Sequence, residues 1–302
     1  MNIEETSQKI EDMTIRGAGR IARSAAEAMA DYAKTSSAVN LAEFLDGLDA
    51  SAKRLISTRP TAISLSNAVW ISIRGVKEQK TLEAAKLLAI SNAETFVKNS
   101  NSAVARIGQN APPIITKKGM AITICNSSAA ISAMVACYKA GKITGVFACE
   151  TRPKRQGLIT VRELAEAGVP VTLIVDSAMR YVMPQVAVAF VGTDSLESDG
   201  SVINKIGTHL LAATARDYNV PFYACAETYK FLPASMIGKR VEIEQRSYKE
   251  IVANAEVPGG VEIFNPVFDR VPPELVTGII TEEGVITPAE SLTFIGKFLG
   301  GI

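Results

Sequence analysis

Apolar residues recur at three- and four-residue spacing through the first third of the chain. This spacing predicts amphipathic helices over 3–13, 19–34, 41–56, 62–75 and 80–106. In the last of these, Leu82, Ala85, Leu88, Ile90, Ala93 and Val97 are among the apolar positions. The pattern breaks at RGAGR, which holds Gly17 and Gly19, and again at Arg59-Pro60. Pro60 is expected in a helix first turn, where its missing N–H costs nothing. Pro112-Pro113 closes the region.

From residue 120 the period changes. Short apolar runs, MAITIC (120–125), GVFACE (145–150), VTLIVD (171–176), VAVAFVGTD (186–194) and PFYACAE (221–227), alternate with helical patterns at 128–140, 160–167, 177–183 and 203–217. Such alternation predicts an α/β domain whose mainly parallel sheet is covered on both faces. The expected organisation is an all-helical N-terminal domain, 1–113, followed by this α/β domain, 114–302. A length of 302 residues suits two domains of about 150 residues each.

Composition narrows the chemistry. The chain is 47% apolar and 21% charged, as expected of a soluble globular protein. Thirty-two basic residues against 31 acidic ones leave no basic excess, which argues against a nucleic-acid partner. No run approaches the ~18 apolar residues of a membrane span, so no membrane partner is expected. The start, MNIEETSQKIEDM, lacks the basic and apolar regions of a signal peptide, so the expected location is the cytoplasm. The four cysteines form no CxxC pair, and no structural zinc site is expected. His209 is the only histidine, and there is no GxSxG segment. Acid–base work therefore falls to carboxylates, lysine or a thiol.

Each apolar run ends in a reactive or ionisable residue: Cys125, Glu150, Asp176, Asp194 and Glu227. Ligands bind open parallel sheets outside the carboxyl ends of the strands. Polar residues also simply mark where strands meet solvent, but that explanation suits Cys125 poorly. In TICNSSAAISA, a helix opening at Ser127 and Ser128 would lower the pKa of a neighbouring thiol and offer amides and hydroxyls to an anion. A buried structural cysteine beside an ordinary serine cap fits the same residues. In VGTDSLESDGSVINKIGTH, Asn204 and Lys205 are expected to open a helix, facing either a phosphate or solvent. Arg16, Arg59 and the basic loop with Arg152, Lys154 and Arg155 are further anion candidates, or solvated corners.

The segments IRGAGRIA, TRPTA, CNSS, ETRPKRQG, GTDSLESDGSVINKIGT, CAETYKF and NPVFDRVPPELVTGIITEEGVI occur in that order. Together they resemble the superfamily of translation initiation factor 2B regulatory subunits and related sugar-phosphate isomerases. Within it, the resemblance is to the archaeal branch acting on ribose 1,5-bisphosphate. It covers nearly the whole chain. It implies a Rossmann-like C-terminal domain and a homo-oligomer built from dimers, a hexamer in this branch. It implies catalytic Cys125 and Asp194. It implies substrate binding by Arg16, Gly17, Ala18, Gly19, Arg59, Ser127, Ser128, Ala129, Gln156, Asn204, Lys205 and Lys230. Thr193 departs from the alanine usual before the aspartate.

The implied reaction is an aldose–ketose isomerisation of ribose 1,5-bisphosphate to ribulose 1,5-bisphosphate, in nucleotide (AMP) salvage feeding RuBisCO. A protonated Asp194 would serve the ring oxygen, and a Cys125 thiolate would move the C2 proton. This chemistry needs no cofactor or metal. Two other activities stay open within the same resemblance: isomerisation of methylthioribose 1-phosphate, and a non-catalytic regulatory subunit. The regulatory subunits generally lack the cysteine–aspartate pair. Ser127, Ser128 and Lys230 favour a substrate with a second phosphate over one with an apolar methylthio group.

Overall fold

Local capping sets the first helices. In α1 (Ile3–Glu11), the Asn2 side chain accepts from the Glu5 amide at 2.8 Å. In α3 (Leu41–Thr58), Asn40 does the same for Glu43 at 2.9 Å. Between them lies α2 (Ala18–Thr35), and α4 (Ile63–Ile73) and α5 (Leu82–Asn110) follow. The computed structural model describes residues 1–15, 17–252 and 257–300. Pro60 lies outside any helix, in the turn between α3 and α4. That corrects the expectation of a helix first turn: Arg59 adopts an extended φ of −150° before the proline ring, ends α3, and its carbonyl accepts from Ala62.

The strands are β1 (Gly119–Thr123), β2 (Ile143–Cys149), β3 (Val171–Ile174), β4 (Val186–Val191), β5 (Ser195–Leu196), β6 (Val202–Lys205), β7 (Phe222–Cys225), β8 (Phe268–Val271), β9 (Gly278–Thr281) and β10 (Gly284–Ile286). The later helices are α6 (Ser128–Lys139), α7 (Gly157–Glu166), α8 (Met179–Val182), α9 (Thr208–Asp217), α10 (Lys249–Val252) and α11 (Ser291–Leu299). Seven strands form one sheet in the order β10-β9-β7-β4-β1-β2-β3, parallel except for β10. All six residues of β4 are buried, as a central strand covered on both faces requires. The α/β class with a helical N-terminal region and a mainly parallel sheet is thus the architecture observed.

Two expectations change. The 177–183 segment holds only the single-turn α8 between two 3-10 turns. Residues 203–205 are strand, and α9 starts later, after Gly207 turns the chain at φ 98°. A second, antiparallel sheet, β5-β6-β8, was not foreseen.

The chain forms two compact units. One comprises Met1–Ser102, Tyr229–Pro233 and Ile295–Ile302, and the other Ala103–Thr228 and Ala234–Phe294. The first has a core that includes Ile21, Met29, Phe44, Leu48, Leu55 and Leu65. In the second, Ile107, Val146, Met134, Leu164, Val188 and Phe190 belong to one apolar cluster.

Candidate active site

Sheet order locates a crevice in the second unit. Strands β1 and β4 are neighbours, yet the chain proceeds from β1 to β2 on one side and from β4 to β7 on the other. This is a topological switch point, and ligands bind at the carboxyl ends there. Cys125 follows β1 and Asp194 follows β4, so the two residues flank that point. The two strand-end loops meet at Gly192. A Cβ there would lie 2.4 Å from the Cβ of Ser127, so only glycine fits without displacement.

Cys125 is held in a left-handed conformation, φ 69°. Its amide donates to Thr151 Oγ1 at 2.8 Å, and its carbonyl accepts from Thr160 Oγ1 at 2.7 Å. Thr151 is itself fixed. Its amide and that of Arg152 donate to the Asp176 carboxylate at 2.8 and 2.7 Å. Asp176, a strand-end candidate, therefore spends its carboxylate on the loop that carries Thr151. Cys125 is half-buried as a residue, and burial of its thiol pushes the pKa up to about 11. The Lys205 ammonium pulls it down, the Asp194 carboxylate pushes it up, and a hydrogen bond from the Asn126 amide lowers it. Burial outweighs the Lys205 charge and the Asn126 amide, so of the two environments the sequence left open for this thiol, the buried one with a raised pKa is observed.

Asp194 leads into the second sheet. Its amide donates to Ile203 O at 2.9 Å. Asn204 and Lys205 close β6 rather than opening a helix, and both are buried. The Asn204 side-chain amide donates to Thr208 Oγ1 at 3.0 Å, and Lys205 Nζ lies 5.1 Å from the Phe268 ring centroid. The amides of Gly207 and His209 at the start of α9 are occupied by Asp269 Oδ2. A fully buried carboxylate, Glu197, ties this sheet together. It pairs with Arg240 at 2.6 Å and with both terminal guanidinium nitrogens of Arg270 on β8, and it accepts from the Val241 amide at 2.9 Å.

Ser127 is the N-cap of α6 and accepts from the Ala130 amide at 3.3 Å. Ser128, the first residue of the helix, is exposed, and Ala129 is buried. Gln156 precedes α7, with its buried Oε1 lacking a hydrogen-bond partner. The basic loop has protein partners. Lys154 pairs with Glu250 at 3.3 Å, Arg155 with Glu150 at 3.7 Å, and Arg152 donates to Ile251 O at 2.8 Å.

The remaining candidates belong to the first unit. Gly17 adopts φ 89° and precedes α2, whose start has no side-chain cap. Ala18 and Gly19 form its first turn. The Ser64 hydroxyl on α4 donates to Ala18 O at 3.1 Å, which joins the RGAG corner to the helix following the Arg59 turn. Arg16 lies outside the described residues. Lys230 is buried. A surface groove of about 590 Å³ also lies on this unit, lined by α2 and α5 residues including Glu27, Asp31, Lys34, Glu94 and Lys98. None of the candidates lines it.

Sequence reasoning missed Thr151, Thr160, Glu197, Arg240 and Arg270. Threonines and ion pairs that meet only after folding leave no local spacing to read. Among the described residues, no group of three His, Cys, Asp or Glu side chains is placed to hold a metal ion, and no helix is long and apolar enough to cross a membrane.

A doubly wound sheet with a thiol and a carboxylate flanking its switch point, preceded by helices, defines an α/β chain with the geometry of an acid–base site. Residues 14–288 match the model of the initiation factor 2 subunit family, and the chain belongs to that family. It is 43% identical over 303 residues to a ribose 1,5-bisphosphate isomerase of Thermococcus kodakarensis, covering 98% of this chain and 94% of that one. It is 41% identical over 298 residues to the ribose 1,5-bisphosphate isomerase of Methanocaldococcus jannaschii, covering 99% and 96%. Among solved structures it resembles a 5-methylthioribose 1-phosphate isomerase from Pyrococcus horikoshii, with TM-score 0.80, 32% identity, and coverage of 99% and 87%.

Proposed function

We propose that the chain is a sugar-phosphate isomerase that converts ribose 1,5-bisphosphate to ribulose 1,5-bisphosphate. The observation that carries this reading is the meeting of the Cys125 thiol, the Asp194 carboxylate and the Lys205 ammonium in one electrostatic neighbourhood at the sheet's switch point. The full-length likeness to the archaeal isomerases supports the choice of substrate.

In this reading, Asp194 protonates the ring oxygen as the bond from C1 to that oxygen breaks. The Cys125 thiolate takes the C2 proton, giving an enol between C1 and C2. The thiol then returns a proton to C1, and the C2 hydroxyl gives its proton back to the Asp194 carboxylate, leaving the ketone. The thiol is protonated in the unliganded chain, so the active form is a minor one that Lys205 favours by its charge. Arg16, Arg59, Asn204 and Lys205 serve the C1 phosphate, and Gly17, Ala18 and Gly19 bind the substrate beside Arg16. Ser127, Ser128, Ala129, Gln156 and Lys230 serve the rest of the sugar, with Lys230 on the C5 phosphate. Capping α6 uses Ser127 Oγ as an acceptor, which leaves its O–H to donate to phosphate beside that of Ser128. The protein works in the cytoplasm as a homo-oligomer of dimers, a hexamer, and its product supplies RuBisCO from nucleotide salvage.

Purified protein incubated with ribose 1,5-bisphosphate should yield ribulose 1,5-bisphosphate, seen by NMR. Cys125→Ser and Asp194→Asn should each abolish turnover while keeping the oligomer and its melting temperature. Near-normal activity in either variant, or a higher kcat/KM for methylthioribose 1-phosphate, would sink the assignment. A scattering mass other than six chains would reject the hexamer.

A further inference from the structure

The TYKF segment has a clamp that the reaction scheme does not use. Asn67, on α4, is 3% exposed, and its side-chain nitrogen donates two hydrogen bonds. They run to Tyr229 O at 2.8 Å and Phe231 O at 2.7 Å, the carbonyls on either side of Lys230. The Tyr229 ring is fixed as well. Its hydroxyl meets Ser100 Oγ at 3.0 Å, and its ring makes a T-shaped contact with Phe96, centroids 5.0 Å apart. Lys230 is therefore held by its backbone on both sides, and all these groups lie within the first unit.

One helical turn before Asn67, Ser64 donates to Ala18 O. Residues three apart share a helix face. The same face of α4 thus holds the RGAG corner at one end and the Lys230 segment at the other. In the proposed function both of these segments bind phosphate, and a rigid helix joining Ala18 to the Lys230 segment fixes the spacing of the described residues. A lysine side chain alone does not fix it, because its four-carbon stem is flexible. An asparagine is suited to the task, since one planar NH₂ group has two donors that can satisfy two carbonyls.

We propose that Asn67 is a positioning residue for substrate selection: through its two backbone contacts it sets Lys230 at the distance of a second phosphate, and so makes the site prefer a bisphosphate. This rests on the assignment of Lys230 to the C5 phosphate. Asn67 itself touches neither the substrate nor the reacting atoms in this scheme.

The test uses Asn67→Ala, and Asn67→Ser as a milder variant that keeps one donor. Kd is measured by calorimetry for ribulose 1,5-bisphosphate and for ribose 1-phosphate, which has only the C1 phosphate. Asn67→Ala should weaken bisphosphate binding at least about tenfold and change ribose 1-phosphate binding less than about twofold, with Asn67→Ser between wild type and Ala. In steady-state kinetics KM should rise while kcat holds within about threefold. In a Lys230→Met background, Asn67→Ala should add less than about twofold, since the group it positions is gone. Equal weakening of both ligands, or effects of Asn67→Ala and Lys230→Met that multiply independently, would overturn the positioning role while leaving the phosphate assignment intact. An unchanged bisphosphate Kd in Lys230→Met alone would overturn the phosphate assignment and this inference with it. Should Asn67→Ala fail to fold, the same comparisons are decided by Asn67→Ser.

Discussion

The Cys125 amide donates to the Thr151 hydroxyl at 2.8 Å, and that hydroxyl donates onward to Cys149 O at 3.0 Å. One threonine thus joins the ends of two adjacent strands, β1 and β2, and holds the cysteine at its positive φ. Thr151→Val keeps the branched shape and removes the acceptor. The orphaned amide should cost about 1–3 kcal/mol of stability, and kcat should fall more than KM rises, since the thiol loses its fixed position. Denaturant melts and steady-state kinetics check both. A variant with wild-type stability and kcat would show that the contact is dispensable.

The protonated thiol predicts a pH profile. With a folded pKa near 11, the thiolate fraction in the free protein grows about tenfold per pH unit below that value. The rate of Cys125 alkylation by iodoacetamide, which needs the thiolate, should therefore climb with pH between about 7 and 9 rather than level off. A plateau in that rate would mean that burial does not hold the thiol protonated.

Stability should run the opposite way in alkali. Burial raises Cys125 to about 11 and Cys137 to about 12 from an ordinary 9.0, and it raises Cys149 too. In the unfolded chain these thiols ionise first. Their contribution is fully present below pH 9 and is lost as the pH rises through the folded values. The melting temperature should fall between pH 9 and 11, and Cys137→Ala should flatten part of that fall. An unchanged slope in that variant would refute the linkage.

Gly192→Ala tests the close approach of the two site loops. The added methyl would sit 2.4 Å from Ser127 Cβ and 2.5 Å from its Oγ, where α6 begins. The expected loss is about 1–3 kcal/mol of stability together with reduced turnover. Activity and melting indistinguishable from wild type would mean that the loops relax without consequence.

Glu197 and Arg240 should differ sharply although they form one ion pair. Glu197→Ala leaves Arg270 without its buried carboxylate and should destabilise by about 3–5 kcal/mol. The Arg240 side chain is 58% exposed, and Arg240→Ala should cost far less. Urea unfolding of the two variants decides this, and equal losses would contradict it.

The sequence by itself determined the elements whose periodicity is local. Five helices before residue 111 and the strands β1, β2, β3, β4 and β7 were all legible, because one-sided and two-sided burial each leave a repeat in the hydrophobic pattern. The positions of Cys125 and Asp194 at strand ends were legible for the same reason. Asn204 and Lys205 were not placed correctly: VINK pairs with β8, over sixty residues away, and no local pattern foretells a partner so distant. The thiol's environment stayed open between two readings, because a helix start is visible in sequence whereas burial is set only by the folded packing. Thr151, Glu197 and Asn67 acquire their roles only through contacts separated by 26, 73 and over 160 residues. Those roles were decided by the tertiary structure, because hydrogen bonds between distant residues depend on the packing that brings them together.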